Sequence, residues 1–164
     1  MRIVIMGVSG SGKSSVGAAL SRRIGVPYLD GDDFHPPSNI DKMERGIPLT
    51  DEDRWPWLDI VARELRQRAP VIIGCSALKR AYRDRLRAGA GGTVLFVHLT
   101  GPRALIADRM SHRSGHFMPP SLLDSQYAAL EQPGPDEQAV DIDITDPPEI
   151  LADRIADWLQ TAPV

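Results

Sequence analysis

Three short stretches of this chain are apolar at every position: Ile3-Val4-Ile5-Met6, Val71-Ile72-Ile73 and Val94-Leu95-Phe96-Val97. Runs this short and uniform fit strands buried on both faces of a parallel sheet. Two other stretches differ. Val26-Pro27-Tyr28-Leu29-Asp30 contains a proline, which confines it to a sheet edge or a strand start. Val140, Ile142 and Ile144 alternate with Asp141 and Asp143, the pattern of a half-exposed strand. Between these runs apolar residues recur at helical spacing. Val16, Leu20 and Ile24 mark a helix that Gly25 ends. Leu58, Val61, Ala62 and Leu65 mark another, with Thr50 as N-cap and Asp53 three residues on. Further helices are predicted at 40–45, 79–87, 102–110 and 121–130. The last helix starts at Asp146-Pro147-Pro148-Glu149, read as N-cap, proline at N1 and acid at N3. Leu151, Ile155, Trp158 and Leu159 give it a buried face.

Strands alternating with helices predict one α/β domain over residues 1–164. Its sheet is parallel and five-stranded, with right-handed crossovers and helices on both faces. The uniformly apolar strands take the centre and the other two the edges. That gives the order 2-3-1-4-5, with ligands at the carboxyl ends of the strands.

The first crossover carries the most specific chemistry. Gly7-Val8-Ser9-Gly10-Ser11-Gly12-Lys13-Ser14-Ser15 satisfies G-x-x-x-x-G-K-[ST] at every fixed position, between an apolar strand and a helical pattern. Gly10 and Gly12 let the backbone turn and approach a phosphate without a Cβ in the way. Main-chain N–H groups converge on the anion, and the helix N-terminus adds its dipole. Lys13 reaches the β- and γ-phosphates of ATP, and the Ser14 hydroxyl can ligate Mg²⁺.

Composition narrows the partners. Hydrophobic content of 42% and charged content of 25% are ordinary for a globular protein. A formal net charge of −3 argues against nucleic acid as a partner. No apolar run approaches membrane-spanning length, and the four-residue N-terminal run reads as a strand, not a signal peptide. The single cysteine, Cys75, excludes an internal disulfide framework and fits a reducing compartment. The expectation is a cytoplasmic enzyme.

Asp30-Gly31-Asp32-Asp33-Phe34-His35 ends the second strand, which the topology sets beside the phosphate loop. One of its carboxylates can accept the proton of an attacking hydroxyl, or help hold Mg²⁺ through water; Asp32 is the favoured one. His35 can hydrogen-bond a substrate hydroxyl or cap its own loop. The segment at about 31–60 is expected to cover the acceptor, with Lys42 and Arg54 in it and Lys79 and Arg80 after the third strand. Converging cations imply an anionic acceptor, and the Arg54 guanidinium fork matches a carboxylate. Arg83 and Arg85 read as a solvated helix face. Cys75-Ser76 stands where many phosphate-loop proteins place a metal-holding Asp, so Mg²⁺ must rely on Ser14, the phosphates, water and Asp32. Arg109, Arg113 and His116 fall in or just before a polar segment at about 111–120 that reads as a lid. On closure one of its arginines neutralises charge on the transferring phosphoryl group. Pro147 is a neighbour for the base. No histidine has metal-ligand spacing. These residues by themselves describe a P-loop kinase acting on a small anionic hydroxyl compound.

The chain resembles the gluconate kinase (gluconokinase) family. The resemblance runs through the phosphate loop, Asp30 to Pro36, Asn39 to Met43, Pro48 to Asp51, Asp53 to Leu58, Cys75 to Lys79, Tyr82 to Asp84, Gly115 to Pro119 and Leu130 to Pro133. The phosphate loop alone is unspecific; His35-Pro36, Asp53-Arg54 and Cys75-Ser76-Ala77-Leu78-Lys79 are more telling. It implies a fold similar to nucleoside monophosphate kinases, a homodimer, and ATP-dependent phosphorylation of D-gluconate on its 6-hydroxyl for the pentose phosphate route. A shikimate-type or nucleotide kinase would share the loop and the lid. A GTP-binding regulatory module would need Asn-Lys-x-Asp, which is missing from the sequence.

Overall fold

The computed structural model describes residues 1–112 and 122–162. Five parallel strands form one sheet: β1 (Arg2–Met6), β2 (Tyr28–Asp30), β3 (Val71–Gly74), β4 (Leu95–Thr100) and β5 (Ala139–Asp143). Their order is β2-β3-β1-β4-β5, as the apolar pattern predicts. The helices among the described residues are α1 (Lys13–Ile24), α2 (Pro37–Glu44), α3 (Asp51–Gln67), α4 (Arg80–Gly89), α5 (Arg103–Ser111), α6 (Leu122–Ala129) and α7 (Pro148–Thr161). A 3₁₀ turn at Gly31–Phe34 follows β2.

Period-2 geometry divides the strand side chains between two apolar layers. Ile3, Ile5, Ile72, Leu95, Val97 and Leu99 pack with α1 and α7 residues such as Leu20 and Ile155. Val4, Met6, Val71, Ile73 and Phe96 face the other way, onto Trp57, Val61 and Leu65 of α3 and Leu86 of α4. The sheet is thus covered on both sides, which is why its central strands carry no polar alternation.

Helix ends follow local chemistry, with one difference. Thr50 and Asp53 form a reciprocal capping box at α3. Gly25 takes the left-handed conformation that closes α1. The α7 start lies one residue later than its sequence predicts: Pro147 is the N-cap and Pro148 occupies the first turn. Two consecutive prolines allow either register, and Asp146 instead receives a hydrogen bond from Arg154 (2.6 Å). β4 also runs to Thr100, beyond the apolar stretch, because β5 pairs with it as far as Thr100–Asp143.

A close approach ties β2 to its neighbours. The Tyr28 ring lies against α1 and β3 at two glycines. A Cβ added at Gly17 would stand 2.1 Å from Tyr28 Cε1, and one at Gly74 2.2 Å from the Tyr28 hydroxyl.

Candidate active site

The carboxyl ends of the strands open into a cavity of about 980 Å³. Its floor is the phosphate loop. α1 begins there with Gly12 as N-cap and no side chain capping its first N–H groups. An uncapped helix start at a cavity floor is an anion site by its geometry. Gly10 brings the loop close to α5: a Cβ there would lie 3.1 Å from the Ile106 carbonyl oxygen. Lys13 folds over the loop, its Nζ donating to the Gly7 and Val8 carbonyls (3.0 and 3.1 Å). The residues of the loop that line the cavity are 9 to 15. Gly7 and Val8 do not. The Gly7 N–H donates to the Ser76 carbonyl (3.3 Å), and Val8 is buried in the core. Both shape the loop from behind.

Asp30, Asp32 and Asp33 also line the cavity, and they are not equivalent. Asp30 caps the 3₁₀ turn, its Oδ1 accepting from the Asp32 N–H (3.0 Å). Its Oδ2 accepts from the Ser14 hydroxyl (3.4 Å). Among the described residues no three His, Cys, Asp or Glu side chains converge to hold a metal by themselves. The set Ser14, Asp30 and Asp32 offers only oxygen donors beside an anion site, which fits Mg²⁺ shared with phosphates and water.

His35 is buried and stacks on Trp57, ring centroids 4.0 Å apart. Asn39 Nδ2 donates to the Asp53 carbonyl (3.0 Å), and that fixes the orientation of the amide. The same nitrogen therefore also donates to His35 Nδ1 (3.1 Å), leaving the proton of the neutral ring on Nε2. Nε2 lies 3.7 Å from Asp32 Oδ1. Burial, then the nearby Arg54 charge, lowers the His35 pKa to about 4. Trp57 is itself fixed by donating from Nε1 to the Gly31 carbonyl (2.8 Å). It both packs and walls the cavity.

Arg54 and Lys79 line the cavity as well. Arg54 donates to the Leu49 carbonyl (2.6 Å) and lies over the Tyr82 ring. Lys79 reaches Asp51 (3.4 Å), which also accepts from the Tyr82 hydroxyl. Lys42 and Arg80 do not line the cavity. Lys42 is paired with Asp53 (2.7 Å), and Arg80 forks onto Asp136 (3.0 and 2.6 Å). Arg83 departs furthest from its expectation of a solvated face: it is fully buried, paired with Glu137. Arg85 does pair at the surface, with Asp59.

Arg109 and Pro147 both line the cavity, and Arg109 donates to the Ile144 carbonyl (3.0 Å). Arg113 and His116, with the expected lid from residue 113 on, lie outside the described residues. The sequence reading missed Gln126 on α6. Its Oε1 accepts from the Ser9 N–H (2.6 Å), and a partner 117 residues away leaves no local signal. Cys75 is buried, and burial raises its thiol pKa to about 12, so it is no nucleophile.

Comparison with known proteins places this architecture. The family model described as AAA domain matches residues 3–133. The thermosensitive gluconokinase of Escherichia coli (strain K12) is 49% identical over 141 residues, 84% of this chain and 75% of that one. The gluconokinase of Gluconobacter oxydans is 43% identical over 157 residues, 93% of this chain and 88% of that one.

The chain belongs to the gluconokinase family.

A solved gluconokinase from Sinorhizobium meliloti superposes with a TM-score of 0.83 at 49% identity, covering 98% of this chain and 95% of that one. The shikimate kinase of Aquifex aeolicus, at 18% identity and a TM-score of 0.60, shares the fold alone. The protein is therefore an ATP-dependent P-loop kinase.

Proposed function

We propose that this gluconokinase-family protein transfers the γ-phosphoryl group of ATP to the 6-hydroxyl of D-gluconate, giving 6-phospho-D-gluconate and ADP. The observation that carries the reading is one cavity lined by two unlike sets of groups. One is an uncapped helix start with Lys13; the other is Asp32, His35, Arg54 and Lys79.

Main-chain N–H groups of residues 9 to 15 and the Lys13 ammonium hold the β- and γ-phosphates. Arg54 presents a planar fork to the acceptor carboxylate, and Lys79 adds charge beside it. The far hydroxyl of the sugar acid then faces the terminal phosphorus. Asp32 accepts its proton as the P–O bond forms. Arg109, with Arg113 from the lid, compensates charge on the transferring group, and closure of the lid over both substrates excludes water. Ser14 and Asp32 would hold Mg²⁺, with Asp30 steadying the Ser14 hydroxyl; the ion, when bound, neutralises charge between the β- and γ-phosphates. His35 and His116 contribute donors to the acceptor hydroxyls, and Pro147 borders the base. The same reading includes a homodimer working in the cytoplasm and feeding the pentose phosphate route.

A coupled ADP-release screen tests the assignment across D-gluconate, other aldonates, shikimate and nucleoside monophosphates. Release that depends on D-gluconate is expected. Equal or greater release with shikimate or a nucleoside monophosphate would replace the substrate.

A further inference from the structure

Arg83 has no contact with the cavity, yet its guanidinium is the most heavily engaged among the described residues near it. Its side chain has 0% exposure and that of Glu137 has 1%. Nε and Nη2 fork onto the two Glu137 oxygens (2.7 and 3.1 Å). Nη1 donates to two successive main-chain carbonyls, Ala77 (2.8 Å) and Leu78 (3.1 Å). Four of its five N–H groups are thus placed on three partners, and a planar guanidinium can do this where an ammonium cannot.

The gripped carbonyls belong to a turn with an unfavourable backbone conformation. Ala77 has φ +45, a left-handed conformation that disfavours any residue with a Cβ. The turn carries Ser76 and Lys79, both at the cavity wall, and its Ser76 carbonyl anchors the first residue of the phosphate loop. Glu137 in turn is held by Arg87 (2.7 Å) and the Gly134 N–H (2.8 Å). The Leu78 carbonyl also accepts from the Glu131 N–H (2.8 Å). The stretch that leaves α6 is therefore fastened to the back of the acceptor wall.

We propose that Arg83 is a positioning residue for the phosphoryl acceptor: its clamp from Glu137 to the Ala77 and Leu78 carbonyls sets the turn that presents Lys79 and Ser76. This rests on the reading above that the acceptor lies against that wall.

The test is two-substrate steady-state kinetics on the full chain, varying acceptor and ATP separately. Losing about one hydrogen bond's worth of alignment (about 1.4 kcal/mol) predicts an acceptor KM raised about tenfold in Arg83→Lys. ATP KM is expected to rise severalfold less than acceptor KM, since the turn reaches the phosphate loop only through the Ser76 carbonyl at Gly7, behind the N–H groups of 9 to 15. Glu137→Asp retracts the carboxylate by one methylene while keeping the charge paired. It gives a smaller shift in the same direction, and it serves if Arg83→Lys does not fold. Ala77→Gly added to Arg83→Lys recovers part of the acceptor KM, because glycine takes positive φ unaided. An unchanged acceptor KM in Arg83→Lys, acceptor and ATP KM rising in step, or no recovery from Ala77→Gly in a folded double variant would each overturn the proposal. Wild type run alongside separates the two readings. If it ignores D-gluconate, the substrate assignment fails, and the same ratios are read with whichever acceptor the screen returns.

Discussion

At the scale of single residues, the site assigns unequal work to its charged groups. General-base help is typically worth about 10²–10⁴-fold, whereas cationic stabilisation of a transferring phosphoryl group reaches about 10³–10⁵-fold. Lys13→Ala, and whichever of Arg109→Ala and Arg113→Ala removes the closing cation, should therefore lower kcat at least as much as Asp32→Asn. Steady-state kcat for the four variants checks this; near-normal turnover in Lys13→Ala would remove it from the mechanism. His35 gives a pH effect of definite sign. Its ordinary pKa of 6.5 falls to about 4 in the fold because burial, then Arg54, disfavours the imidazolium. Between those values the unfolded chain takes up a proton that the folded one refuses, so stability falls as pH drops through this window. His98, lowered by burial, contributes in the same sense. Melting temperatures from pH 7 to 4.5 should therefore decline more steeply for wild type than for His35→Gln. Residue identity made the phosphate loop legible, because its chemistry is local. Arg83 was not legible. A charged helix looks solvated until its partner is known, and Glu137 lies 54 residues away.

At the scale of elements, the apolar pattern was an accurate guide wherever burial is symmetrical. The three uniformly apolar strands are the central ones, and the proline-bearing and alternating strands are the edges. Boundaries drifted where pairing, not composition, decides them, as at the end of β4 and the double proline of α7. The Tyr28 slot shows packing overruling propensity. Replacing a helical glycine by alanine ordinarily gains about 1 kcal/mol. At Gly17 the new methyl would sit 2.1 Å from the Tyr28 ring, which Gly74 backs on the other side. Overpacking of that kind costs typically about 1–3 kcal/mol, so the clash wins. Gly17→Ala should lower the melting temperature by several degrees, and the loss should shrink in a Tyr28→Leu background. Calorimetry on the two pairs decides it. A Gly17→Ala protein more stable than wild type would mean that the ring has room to move.

For the whole molecule, one sheet positions everything: phosphate loop, acid cluster, the turn from Ser76 to Lys79 and the Thr145–Pro148 border all sit at its carboxyl ends. That placement follows from strand order, and strand order followed from hydrophobicity. The contacts that join distant parts did not. Ser9 to Gln126, Arg80 to Asp136 and Arg83 to Glu137 each link residues at least 54 apart, and single positions carry no trace of such partners. One buried group lets the cooperativity of this assembly be timed. Cys75 is the sole sulfhydryl, buried directly after β3, and its thiolate is suppressed in the folded chain. A maleimide or dithiobenzoate reagent should ignore intact molecules and mark each one only when it opens. Labelling would then proceed at the opening frequency, slowing when nucleotide is added, so the wild-type enzyme already contains its own stopwatch for breathing.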